Sequence, residues 1–309
     1  MSVTSVSTAF FNAQAAADLK RSQAELADLQ RQVGSERKAN DLKGYGVEAS
    51  RILSAQDMIA KTNARQQAAV SLSGRLNATD VALGGAADAA EALRLSVLDA
   101  VGQDNGQSLA TSLQAAFDAA KQAFNTTFEG EAIFGGERIG AAPINVASLA
   151  ALAAAPSTAS IFDEAARAKT IDLGDGAFAV SPKASDASTG LFDTLRQLKQ
   201  LIDSAGGTLP SPLTAGQKTA LQGFAASLGG ARQTLLLAQG QNGTLQKTIE
   251  AKASALSTQS DALTKVVGDA ANADLAEVAT RITATQVQYQ AIAQTFASLS
   301  KLSLLDYLR

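Results

Sequence analysis

Apolar residues recur at alternating spacings of three and four along both ends of this 309-residue chain. Near the C-terminus the series begins at Leu275 and ends at Leu299, and near the N-terminus a shorter series runs from Leu19 to Val33. This spacing places all members of a series on one side of an α-helix and is typical of the seam of a coiled coil. Both ends are therefore predicted to form long helices that need a helical partner.

Composition also favours long helices and excludes many kinds of catalysis. Hydrophobic residues make up 46% of the chain but aromatic residues only 5%, and much of the apolar fraction is Ala, the strongest helix former. The chain contains neither Cys nor His. Thiol nucleophiles, imidazole bases and metal sites built from Cys or His are thereby excluded. We predict no enzyme activity, no catalytic residue, no cofactor and no metal site.

The distribution of charge argues against nucleic acid and membranes as partners. The 26 basic and 29 acidic residues give a net charge of -3, which offers no electrostatic attraction to polyanions. The first basic residue is Lys20, so a Sec-type signal is not predicted. Residues 282–300 are uncharged but rich in Gln, Thr and Ser, and are too polar to span a membrane. Uncharged ends of this kind are expected to be covered by protein.

Between the ends, helical patterns flank a segment of different character. A long helix is predicted from about 47 to 101, and another from 109 to about 128, after a turn at Asp104–Gly106. Residues 131–190 are rich in Pro and Gly and contain two predicted hairpins, one around Gly135-Gly136 and one around residues 174–176, with a short helix at 147–155. Helical spacing returns at Leu191, and Thr214 with Gln217 fits a capping box.

The predicted organisation follows from these changes in pattern. It comprises an N-terminal assembly helix and loop (1–46), a first helical part (47–130), an inserted β-containing domain (131–190), a second helical part (191–268) and a C-terminal assembly helix (269–309). Helical spacing changes register at Gly268–Asp274, where Asp274 and Glu277 could cap the restarted helix.

Four groups of residues match a known pattern: residues 272–277 (NADLAE), residues 32–40 (QVGSERKAN) with 47–51 (VEASR), residues 76–83 (LNATDVAL) and residues 133–136 (IFGG). These segments resemble the flagellin superfamily, and most closely its hook-filament junction members, the third hook-associated proteins. The C-terminal motif of the family corresponds to Ser303, Leu304, Leu305, Asp306, Tyr307 and Leu308. One departure is the replacement of the family's acidic loop core by Lys43-Gly44-Tyr45-Gly46.

The resemblance implies a fold and a role. The fold would be mainly α, a long antiparallel helical rod with coiled-coil-like N- and C-terminal helices and a small inserted β-containing domain. The protein would form a ring of subunits that joins the hook to the flagellin filament. Its partners would be further copies of itself, flagellin, another hook-associated protein and an export chaperone. It would be extracellular, on the flagellum, after export by the flagellar type III route.

The residues themselves leave two explanations of the terminal series open. They could close an ordinary intramolecular bundle, or they could contact other subunits, and the absence of charge over residues 282–300 favours the second. We predict the following self-assembly stripe: Leu19, Leu26, Leu29, Val33, Leu275, Val278, Ile282, Tyr289, Ile292, Phe296 and Leu299.

Alternatives to a junction protein also remain at this stage. They are a flagellin that forms the filament itself, a secreted surface-binding module, and an enzyme restricted to carboxylates, Lys, Ser or Tyr. Asp172 and Asp175 lie near Gly residues as in a calcium loop, but the remaining acidic positions are missing, so the turn of a hairpin is favoured.

Overall fold

The computed structural model describes residues 3–174 and 177–307 and confirms a mainly α-helical fold. The chain divides into two compact units. The terminal unit combines Met1–Asn63 with Ser257–Arg309, and the central unit is Ala64–Leu256. Each unit therefore packs mainly within itself.

The predicted helices are present close to their predicted limits. They are α1 (Val3–Ser35), α2 (Glu48–Gly102), α3 (Leu109–Phe124), α4 (Leu149–Ala154), α5 (Ala184–Ser204), α6 (Ala215–Ala271) and α7 (Leu275–Tyr307). A single 3-10 turn, Thr158–Ile161, follows α4 in the part of the chain that the structure describes. Helices α2 and α6 each contribute residues to both units.

The predicted capping box begins α6. The Thr214 amide donates to Gln217 Oε1 at 2.9 Å, and the Gln217 amide donates to Thr214 Oγ1 at 3.2 Å. These two bonds satisfy backbone donors that a helix N-terminus otherwise leaves unpaired. The capping prediction from sequence is confirmed.

One of the two predicted hairpins forms. Strands β3 (Thr170–Gly174) and β4 (Ala177–Val180) pair antiparallel, as expected, and residues 175–176 of the turn lie outside the described residues. The prediction of a hairpin around Gly135-Gly136 is wrong. The hairpin in this region is instead formed by β1 (Thr127–Phe128) and β2 (Glu131–Ala132).

The segment after β2 pairs with a distant part of the chain. Gly135 O accepts from the Ala165 amide at 3.0 Å, and the Glu137 amide donates to Arg167 O at 3.2 Å. Gly136 has a φ of 65°, which a residue with a side chain rarely adopts. The two glycines therefore let the backbone approach residues 165–167 closely, and do not reverse a hairpin.

A core of large side chains fills the central unit. Phe124 lies 5.0 Å from Phe134 and 6.2 Å from Phe192 between ring centroids, and Phe117 lies 6.4 Å from Phe192. All four rings are almost completely buried. Phe134 belongs to the predicted insert, yet it packs on α3 and α5 residues, so insert and helices share one core. The domain boundaries at 131 and 190 stay a prediction.

Candidate self-assembly surface

Helices α1 and α7 pack against each other in the terminal unit, and their contacts run antiparallel. Gln23 Nε2 donates to the Tyr289 hydroxyl at 3.2 Å, and Arg281 pairs with Glu25 at 3.1 Å. The later residue of α1 thus contacts the earlier residue of α7, so the two helices run in opposite directions. The buried positions of this pair include Leu29 and the small polar residue Ser22 on α1, and among the described side chains of α7 they are Val278 and Thr285.

The structure places the predicted stripe in three environments. Leu29 and Val278 are buried, at 1% and 5% exposure. Val33 and Leu275 are exposed. The half-buried members are Leu19, Leu26, Ile282, Tyr289, Ile292 and Phe296. Pairing of α1 with α7 thus uses part of the stripe within one subunit, and the role of the remainder in assembly stays a prediction.

Part of the predicted surface lies outside the described residues or side chains. The side chains of Leu299, Ser303, Leu304, Leu305, Asp306 and Tyr307 are not described, and Leu308 lies beyond the described residues altogether. Their contribution to assembly also stays a prediction.

The side of α7 opposite the stripe is exposed and uncharged. Thr283, Val287, Gln290 and Gln294 are separated by four, three and four residues, so they share one face of the helix. All four are exposed, Val287 at 61%. We call these four residues the outer face of α7. An exposed helix face normally carries charged residues, and this face carries none.

Exposed apolar residues of the terminal unit that the predicted site omits include Val287 and Phe10. Val287 belongs to the outer face of α7, and Phe10 on α1 is 70% exposed. Both lie in the uncharged segments that sequence analysis had identified, so the lack of neighbouring charge was the available signal. Spacing alone could not find Val287, because it lies off the heptad stripe.

The connection after α1 is fixed to the junction between α6 and α7. Glu36 adopts a φ of 54° and its carbonyl accepts from the Ala273 amide at 2.9 Å. The Lys38 amide donates to Ala271 O at 2.9 Å. Lys38 Nζ also donates to the carbonyls of Asp269 and Ala270, at 3.1 and 3.3 Å. A cation at this position satisfies carbonyls that the C-terminus of α6 leaves unpaired.

Asp274 caps the start of α7, as predicted. Its Oδ1 accepts from the amides of Ala276 and Glu277 at 2.9 and 3.2 Å. The change of register between the two C-terminal helices is thus a real helix end followed by a new capped start. Together with Lys38, this cap fixes the point at which α7 leaves α6.

The segment that departs from the family pattern has a structural role here. The Tyr45 hydroxyl donates to Ala39 O at 2.7 Å, and the Tyr45 ring packs against the cluster of Ile52, Ala270 and Ala271. Gly44 approaches Ala39 so closely that a Cβ on Gly44 would lie 2.5 Å from the Ala39 Cβ. The glycine and the tyrosine therefore hold a compact loop on the terminal unit.

Neither a membrane span nor a metal cluster is found in the described part of the chain. The described helices include none with a window apolar enough to cross a bilayer. Among the described side chains, no three acidic residues gather closely enough to hold a metal ion.

Comparison with known proteins supports the resemblance seen in the sequence. Residues 226–308 match the family model of the bacterial flagellin C-terminal helical region. No curated protein matches the chain. Among solved structures, FlgL of Bacillus cereus is 17% identical, with a TM-score of 0.57 over 70% of this chain and 99% of that chain. A Vibrio parahaemolyticus protein assigned as a flagellar hook-associated protein is 16% identical, with a TM-score of 0.58 over 74% and 98%. These two structures share the fold.

Proposed function

We propose that this chain, whose residues 226–308 are similar to the bacterial flagellin C-terminal helical region, is a non-enzymatic subunit that joins the flagellar hook to the filament. A structural role in the flagellum fits both the family match and the shared fold. The specific place at the hook-filament junction is supported by the sequence motifs and by the two structural neighbours.

The observation that carries the proposal is the uncharged outer face of α7. Half-buried stripe residues such as Ile292 and Phe296 already have a partner helix in α1, but Val287 and its neighbours on the outer face are open to solvent. Neighbouring subunits that cover this face would gain about 25 cal/mol of binding free energy for each Å² of apolar surface that is buried. They would not have to desolvate a charge.

The proposed partners follow from this surface. Further copies of the chain would cover the terminal unit in a ring, and flagellin and a second hook-associated protein would adjoin the ring on its two sides. Before export, a chaperone would cover the same apolar residues. The proposed location is extracellular, on the flagellum, reached through the flagellar type III channel.

A second candidate is a flagellin that forms the filament itself, which the description of the matched family model favours. Electron microscopy of sheared flagella with gold-labelled antibody to this chain separates the two. Label confined to the end of the hook supports the junction, and label along the filament overturns it in favour of flagellin. Label on the cell surface away from flagella would contradict both.

A stripe variant tests the mechanism. Ile292→Ala combined with Phe296→Ala removes apolar area from the α1 and α7 pair, and we expect loss of joint formation with unchanged melting of the central unit. Because a variant kept in the cell would also give bare hooks, the culture medium must contain it. A secreted variant that still builds a normal joint would contradict the role of the stripe.

A further inference from the structure

A short antiparallel ladder joins the segment after α1 to the junction between α6 and α7. The Lys38 amide donates to Ala271 O, and the Ala273 amide donates to Glu36 O, each at 2.9 Å. We call this ladder the latch, and it comprises residues 36–38 and residues 271–273. All of these residues belong to the terminal unit, so the latch is a contact within one compact unit.

The latch lies where one long helix ends and the next begins. Residues 272–274 are the whole connection between α6 and α7. The Asn272 amide still donates to Gly268 O, in the last turn of α6, whereas the Ala273 amide donates across to Glu36 O. A few residues between two helices are the usual place for a hinge. The closed latch fixes the backbone of this hinge.

The position of the latch gives it control over the direction of α7. Because α1 and α7 are antiparallel, the end of α1 and the start of α7 lie together, and the latch contains the residues next to both. Helix α7 has 33 residues and is therefore about 50 Å long. A rotation of about 10° at the hinge would displace its far end by about 9 Å. The outer face of α7 would then no longer meet the same surface of a neighbour.

The latch lies at the surface and is held by few interactions. Glu36, Arg37, Lys38 and Asn272 are all exposed. Glu36 has a φ of 54°, which is a strained conformation for a residue with a side chain. Hydrogen bonds at the surface open readily by local unfolding. Lys38 Nζ favours the closed state, because it donates to two carbonyl groups at the C-terminus of α6.

We propose that the closed latch is the form of the subunit that can assemble, and that a subunit with an open latch is folded but does not join a ring. This inference rests on the proposed function. Neighbouring subunits that fit α7 only in its closed position would shift the population toward closure. Lys38 is then a positioning residue, which acts on assembly through the direction of α7 and not through contact with a partner.

A disulfide across the latch can test the proposal, because the chain contains no Cys and an introduced pair is unique. Arg37 and Asn272 lie opposite each other between the two latch bonds, as an isolated antiparallel bridge. Residues flanked in this way have Cα atoms about 4.5 Å apart, within the range that a disulfide spans. Arg37→Cys with Asn272→Cys should therefore lock the latch when oxidised and leave it free when reduced.

The assembly assay adds purified protein to cells whose gene for this chain is deleted, which removes export from the comparison. Hooks that carry filaments are counted in electron micrographs. Lys38→Pro removes both the amide donor and the ammonium group, and should lower this count at least about tenfold. The oxidised Cys pair, added to the Lys38→Pro chain, should restore the count. A reducing agent should abolish the restoration.

A second measurement follows the latch in the monomer. Hydrogen exchange of the Ala273 amide reports how often the latch opens. Lys38→Met keeps the backbone amide but removes the ammonium group, and should speed this exchange about threefold. The matched control is Lys43→Met, which removes the same charge from the same loop outside the latch, and should leave the exchange unchanged.

Several results would overturn the proposal. A Cys pair that does not oxidise would show that the two strands of the latch are apart in solution. An oxidised chain that does not assemble would show that the closed latch is not the competent form. Normal assembly of Lys38→Pro, or a loss that oxidation does not restore, would show that the latch does not position α7.

Two further comparisons keep these outcomes distinct. If Lys38→Pro does not fold, Lys38→Met takes its place in the assembly assay, and a count equal to that of Lys43→Met would contradict the proposal. Failure of the proposed function would appear separately, as gold label along the filament whatever the state of the latch.

Discussion

The central and terminal units bury their apolar residues to very different extents. In the central unit, Phe117, Phe124, Phe134 and Phe192 are almost fully enclosed in one continuous core. In the terminal unit, the large stripe residues Tyr289, Ile292 and Phe296 are only half-buried, and Val287 is exposed. The central unit thus encloses large apolar residues in one core, whereas the terminal unit leaves large residues of its α1 and α7 pair partly exposed.

The two units are also stabilised by different kinds of contact. In the central unit the contacts are between large side chains from helices and insert alike. In the terminal unit several buried positions, Ser22 and Thr285 among them, are small and polar, and backbone hydrogen bonds near Lys38 tie the segment after α1 to the end of α6. Helices with so little buried apolar area depend on packing partners for their stability.

The largest expected effect is in the central core. Phe192→Ala removes a ring that contacts Phe117, Phe124 and Phe162, and should lower the free energy of unfolding by about 3–5 kcal/mol. The matched control is Phe10→Ala, which changes a residue that is 70% exposed and should leave melting unchanged. Thermal unfolding of both variants measures the contrast, and equal losses would mean that the terminal unit is as well packed as the central unit.

The next effect is the rate of proteolysis in an isolated monomer. We expect trypsin to cut at terminal-unit sites such as Arg31 and Arg281 at least about tenfold faster than at Lys121 on α3. Local opening of the terminal unit exposes less apolar surface than opening of the central unit, so it costs less free energy and occurs more often. Mass spectrometry of the fragments over time identifies the order of cleavage. A monomer that is cut first in the central unit would reverse the comparison.

A smaller effect is expected at the start of α6. Thr214→Ala removes the N-cap oxygen that accepts from the Gln217 amide, at a cost of about 1 kcal/mol. Thr219→Ala is the matched control, since Thr219 lies within the helix and only donates back to Ala215 O. Denaturant unfolding should show that Thr214→Ala is the less stable variant. Equal stability of the two variants would mean that the capping box does not stabilise α6.

The smallest effect is a pH dependence at Asp104. The Lys218 side chain, followed by the Leu213 amide, lowers the pKa of the Asp104 carboxyl. A lowered folded-state pKa gives stability that is present above the ordinary pKa and is lost as pH falls through the folded-state value. Asp104→Asn should therefore be less stable at neutral pH and converge with the unmodified chain in acid. A constant difference across the pH range would contradict this cause.

The long helices and the caps at Thr214 and Asp274 could be predicted because their signals are local in sequence. The Gly135-Gly136 hairpin was mispredicted because two glycines signal a close backbone approach without showing which strand approaches. Lys38 meets carbonyls more than 230 residues away, and no local pattern indicates such a contact. The division of the stripe into buried and half-buried members likewise depends on how α1 lies on α7, which spacing alone does not determine.

The outer face of α7 gives the most direct test of the claim that neighbouring molecules complete the terminal unit. Val287→Glu adds a charge to this face without touching the buried side of the helix, and Val81→Glu adds the same charge to an exposed position of α2. Both variants should be secreted and should melt like the unmodified chain, but only Val287→Glu should leave hooks without filaments in electron micrographs. A normal hook-filament joint built from secreted Val287→Glu protein would contradict the account.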